Sequence, residues 1–183
     1  MLFDFLRKNK SVQNIAKAKE EESVWNERPN DVKNPVWKLK RTNDILVGMC
    51  NHLTSKTSYG ENMEALTKEE RVFYITTEVE CEVNNGGFEH FFYGDSGKFA
   101  NEAAEALKEI GAENMAFFCE KAMSIFEKAL PENRKERAEF LKEVITDEKR
   151  AILDECTEAF EKDPDEFNKL VFQYMVENRH QFE

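Results

Sequence analysis

The side chains able to do chemistry are few and far apart. Glu78 and Glu82 stand at i, i+4, so a helix would present both carboxylates on one face, where together they can bind a cation or share a proton. With His90 they form a set around which a small hydrolase or metal-dependent enzyme could be built. Glu89-His90 is an adjacent pair, however, and not the i, i+3 pair that puts carboxylate and imidazole on one side of a helix in di-iron bundles. None of His52, His90 and His180 has convincing company at helical spacing, and each reads as a partly buried or capping histidine. Cys50, Cys81, Cys119 and Cys156 lie more than thirty residues apart, make no CxxC pair and sit in apolar helical surroundings. Buried, reduced thiols in a reducing compartment are expected, which points to the cytoplasm. No phosphate-cradling glycine loop, nucleophile elbow or zinc spacing occurs. The expectation is therefore a protein that is not an enzyme, with no catalytic residue, cofactor or metal.

Charge offers a second kind of chemistry. Residues 1–60 hold eleven Lys and Arg against seven Asp and Glu, a net of +4, whereas residues 61–183 hold fifteen against thirty, a net of −15. A body so acidic repels phosphate, which disfavours direct nucleic-acid binding and makes basic proteins the natural partners. On a helical wheel the carboxylates fall into rows. Glu102, Glu105 and Glu109 flank one apolar face; Glu132, Glu136, Glu139 and Glu143 form a stripe beside Lys135 and Lys142, which can pair with it at i, i+3; Asp154, Glu155, Glu158 and Glu161 form a third row. Carboxylates at i, i+4 are roughly 6 Å apart along a helix axis, about the rise of every second phosphate on a DNA strand. Any acidic helix offers that spacing as a solvated face, so it is permissive only.

The elements that must carry these rows follow from apolar periodicity. Ile45, Leu46, Met49, Cys50 and Leu53 mark one helix, closed by the polar run Thr54 to Gly60. Thr67-Lys68-Glu69-Glu70 is a capping box that opens the next, with Val72, Ile75, Thr76, Val79 and Val83 inward and an end at Asn84-Asn85-Gly86-Gly87. Phe88, Phe91, Phe92 and Tyr93 then expose too much apolar area for a free turn and are expected to wedge into the core before Gly94-Asp95-Ser96-Gly97. Phe99, Ala103, Ala106, Leu107 and Ile110, stopped by Gly111, pair with Met115, Phe118, Ala122, Ile125 and Phe126 as an αα-hairpin. Pro131 suits a first helical position before Phe140, Leu141, Val144 and Ile145; Ile152, Leu153, Cys156, Ala159 and Phe160 line a further helix; and Asp163-Pro164-Asp165-Glu166 opens the last. The predicted fold is all-α, a compact multi-helix bundle of antiparallel helical hairpins. Residues 1–36, with a polar helix over 11–27 and a proline-punctuated connection, form an N-terminal helical arm, and residues 37–183 a single acidic domain. Met1 to Lys8 lacks the apolar core of a signal peptide and no stretch is long enough to span a bilayer, so no membrane association is expected.

The run Glu82-Val83-Asn84-Asn85-Gly86-Gly87-Phe88, with Phe91-Phe92 and the later Glu105-Ala106-Leu107-Lys108-Glu109-Ile110-Gly111-Ala112, resembles a bacterial DNA-mimic protein (DMP-like) family, formerly a domain of unknown function, over roughly residues 65–180. The resemblance implies an all-α fold and, for a characterised member, an acidic surface that imitates duplex phosphates and occupies a transcription factor's DNA-binding face. Glu82, Asn84, Asn85, Gly86, Gly87, Phe88, Phe91, Phe92 and Gly111 read as a structural signature; mimicry would reside in the surface rows. Two binding readings result. In one the chain sequesters a basic, DNA-binding, transcription-factor-like protein; in the other it is an immunity-type or scaffold protein that grips its partner by shape and apolar contacts. A carboxylate-based enzyme ranks third, and a homodimer is compatible with either binding mode.

Overall fold

Helix periodicity dominates from Asn34 onward, and the computed structural model, which describes residues 34–162 and 165–183, is all-α: the described residues hold seven α-helices and no strand. They are α1 (Thr42–Lys56), α2 (Lys68–Tyr93), α3 (Ala100–Glu109), α4 (Glu113–Met123), α5 (Arg134–Val144), α6 (Asp147–Phe160) and α7 (Phe167–Glu177), with short 3-10 turns at Pro35–Lys38, Met63–Ala65, Asp95–Phe99 and Arg179–Gln181. The helix expected over 11–27, nearly all of the arm and the Asp163-Pro164 start lie outside the described residues. No helix among the described residues is long and apolar enough to cross a membrane. The chain divides into two compact units, Met1–Tyr74 with Val171–Glu183, and Ile75–Leu170.

In the first unit, Asn34 accepts from the Val36 N–H (3.1 Å) and donates to the Phe182 carbonyl (3.2 Å), which also takes the Trp37 indole N–H (3.2 Å). Trp37 is buried, the Arg179 guanidinium lies 4.9 Å from its ring centre, and Phe73 meets Phe182 edge to face. The apolar stripe of α1 is buried as its spacing requires. The capping box forms: Glu70 N–H donates to Thr67 Oγ1 (3.1 Å) and Thr67 N–H to the Glu70 carboxylate (2.9 Å). That carboxylate is fully buried, a position it keeps because Lys56 Nζ reaches both of its oxygens at 2.6 and 2.7 Å.

In the second unit, α2 breaks at Gly86 and Gly87, and the chain resumes as a helical turn that buries Phe88, Phe91 and Phe92. Gly87 has φ +79°, and a Cβ there would sit 3.0 Å from Thr157 Oγ1, the atom that accepts the Phe88 N–H at 3.0 Å. Glycine is required on both counts. Phe88 packs edge to face on Phe160 (5.4 Å), Phe92 on Phe126 (5.4 Å), and Phe126 against Phe140, so the aromatic wedge reaches α5 and α6. Each buried ring contributes roughly 1.5–3 kcal/mol. α3 ends in a Schellman motif: Gly111 at φ +84° donates to Lys108 O and Ala112 to Leu107 O, both at 2.9 Å. α3 and α4 pack together, as do α4 and α6.

Two expectations are corrected here. Pro131 is not a first helical position; α5 begins at Arg134 because Asn133 Oδ1 accepts from the N–H groups of Lys135 and Glu136. Ile152 is not in the core but 37% exposed, since the α6 phase turns Leu153, Cys156 and Phe160 inward and leaves Ile152 at the edge.

Candidate functional site

All four cysteines are free and buried, and burial pushes the Cys119 and Cys156 thiols up. Such thiols are poor nucleophiles. Among the described residues no group of three or more His, Cys, Asp or Glu is placed to hold a metal ion. Of the conceivable catalytic set, Glu82 Oε2 meets His90 Nε2 at 3.0 Å, while Glu78 accepts the Ser96 hydroxyl at 2.5 Å. Burial, and after it the Glu82 charge, raises the Glu78 carboxyl above its ordinary range, against the lowering pull of Ser96 and Lys98. His90 keeps 48% of its side-chain surface exposed, and it has a carboxylate partner eight residues back. Helical spacing hides this pair because only the break at Gly86 and Gly87 folds the chain enough to close it.

The eleven carboxylates of the three rows are all exposed. The α3 row is Glu102, Glu105 and Glu109. Glu136, Glu139 and Glu143 lie on α5, but Glu132 precedes the Asn133 cap and drops out of that stripe. Asp154, Glu155 and Glu158 lie on α6, with Glu161 at its C-cap. Neutralisation also differs from the expected pattern. Among the described residues neither Lys135 nor Lys142 pairs with the α5 stripe, whereas Lys108 Nζ bridges Glu105 (3.1 Å) and Glu120 of α4 (2.5 Å), and Lys121 of α4 meets Glu155 at 3.0 Å. The two hydrogen bonds to Glu120 and Glu105 hold the Lys108 ammonium above its ordinary pKa. These bridges tie the α3 and α6 rows to α4. Arg134 of α5, which is not part of the stripe, pairs with Asp95 at 2.9 Å.

Several residues escaped the sequence reading. Glu120 and the two bridging lysines join different helices, and intrahelical spacing carries no sign of that. Asp165 accepts from the Met115 N–H (2.7 Å) and Asn114 Nδ2 (2.8 Å), capping α4 from fifty residues away. Phe117 did leave a signal: it is out of phase with the Met115, Phe118 and Ala122 stripe, and it is 57% exposed.

Fold and surface together define an all-α protein that presents rows of carboxylates to solvent. The family model described as DMP19-like protein matches residues 64–178, and the chain belongs to that family, whose name stands for DNA mimic protein. No curated protein and no solved structure matches the chain.

Proposed function

We propose that the protein binds the DNA-contacting face of a basic, transcription-factor-like protein, its exposed carboxylates standing in for backbone phosphates and keeping that partner off DNA. The observation that supports this most directly is the placement of the α3 and α6 rows on helices joined through α4 by Lys108 and Lys121. Side chains bridged between helices hold their spacing better than free ones, as a phosphate array does. The family's name is the second support. Glu102, Glu105, Glu109, Asp154, Glu155, Glu158 and Glu161 would meet the partner's lysines and arginines, and Glu136, Glu139, Glu143 and Glu132 would extend the contact.

The test is a pull-down from the source cell at low salt, followed by competition of the recovered protein between this chain and labelled duplex DNA. A basic DNA-binding protein released by DNA, and by rising salt, is the expected result. Recovery of no basic protein would remove the proposal. If Glu155→Lys with Glu158→Lys leaves affinity intact, the immunity-type or scaffold reading replaces it.

A further inference from the structure

Phe117 is the largest apolar residue left open on the second unit, at 57% exposure, and Ile152 follows at 37%. The Phe117 ring is not loose: it stands edge to face on Phe118 with centres 5.4 Å apart. Phe117 lies one turn before Lys121 on α4, and Ile152 one turn before Glu155 on α6. Since Lys121 and Glu155 are paired at 3.0 Å, both apolar side chains belong to the helix faces that this bridge joins. Within one helical turn of them on α4 and α6 stand Glu113, Glu120, Glu148 and Glu155, all exposed, against Lys121 and Lys149. An aromatic ring left open to water beside such a rim is the arrangement of an interface anchor. Phosphate arrays have no counterpart to it.

We infer that Phe117 anchors a docking face on α4 and α6 whose occupant is a basic protein surface with an apolar socket, lysines or arginines surrounding aliphatic side chains. The inference rests on the proposed function for the sign of the partner's charge and adds what that partner must carry at its centre. It gives the protein a means of discriminating among basic proteins by a contact that salt does not screen.

Two synthetic helical peptides with equal numbers of lysines test it, one with a leucine stripe and one with serines in place of the leucines. Binding of each to the full chain is followed by fluorescence anisotropy at two salt concentrations. The leucine peptide should bind about tenfold tighter, the factor that burying part of one aromatic side chain carries. Phe117→Ala and Phe117→Ser, with helicity checked by circular dichroism, should cut that preference to about twofold or less while leaving the salt dependence unchanged. An undiminished preference in both variants overturns the anchor. Equal, salt-dependent binding of both peptides to the unaltered chain also overturns it but leaves the acidic-surface reading standing, whereas binding of neither peptide removes both. Self-association of the full chain that Phe117→Lys abolishes would place a second copy on this face and overturn the inferred partner.

Discussion

At the corner between Gly86 and Gly97, Arg137 is buried and gives its guanidinium to four backbone carbonyls, those of Phe92, Gly94, Pro131 and Glu132, at 2.6–2.9 Å. On the outward side of α3, α4 and α6, Lys108 serves two carboxylates at once and Glu155 keeps 69% of its side-chain surface exposed beside Lys121. The corner positions each group once, in a place partly shielded from water, so the loss of one member strands the others. The face distributes one property over many residues, and any one of them can be replaced by a neighbour. The same unit thus separates what it needs in order to fold from what it presents to solvent.

The largest effect should come from Arg137. Burial, and then the nearby Arg134 charge, hold its pKa below the usual value, so the buried guanidinium is costly and depends on its carbonyl partners for compensation. Arg137→Met takes the guanidinium donors from those carbonyls, of which Gly94 keeps the Gly97 N–H at 3.3 Å, and a loss of about 3 kcal/mol or more is expected in urea unfolding. A loss below about 1 kcal/mol would show that water replaces the guanidinium and that the corner is wetter than described. Gly87→Ala comes next, at about 1–3 kcal/mol, because it combines a positive φ with the close approach to Thr157. Thermal unfolding of Gly87→Ala against Gly111→Ala sharpens the comparison: the Cβ at Gly111 would meet only Leu170 at 3.8 Å, so its cost should be the smaller.

The parts of this fold that the sequence discloses are the local ones. The Thr67–Glu70 capping box closes within four residues, the Asn84 to Gly87 run announces a break through its paired glycines, and Gly111 announces a helix end. Arg137 sits in Arg134-Lys135-Glu136-Arg137, which reads as a solvated helix start, and its burial depends on carbonyls more than forty residues upstream. The exposure of the carboxylate rows was equally legible, since it follows from each helix's own phase. Their pairing was not, because Lys108 and Lys121 find partners on other helices. Pro131 misled for a related reason: proline suits a first turn, but the Asn133 side chain satisfied the helix's free N–H groups first.

Glu78 lies between the two regimes, half-buried near the corner yet ionisable. Its carboxyl is raised above the ordinary 4.5, mainly by burial. Over the window from 4.5 up to that raised value the folded chain holds a proton the unfolded chain has released, so stability falls as pH rises through it. Glu78→Gln should remove this part of the pH dependence and make unfolding at neutral pH no easier than in the unaltered chain. Urea unfolding at two pH values, one in the window and one above it, decides the matter. A Gln variant with the same slope would assign it to other carboxylates.

The smallest effect is expected on the face itself. Glu155→Gln breaks the Lys121 bridge, but exposed pairs of this kind contribute about 0.2–1 kcal/mol, so stability should barely move. Its influence should appear instead in binding, where one lost carboxylate among many lowers affinity for the recovered basic partner by only a few fold, and lowers the salt dependence in step. Glu158→Gln should behave alike, and the two together should add, since each meets its own cation. Titration calorimetry of the single and double variants at two salt concentrations checks this directly. If either single change abolished binding, the face would be an assembly of irreplaceable contacts like the corner, and the contrast between the two regions would fail.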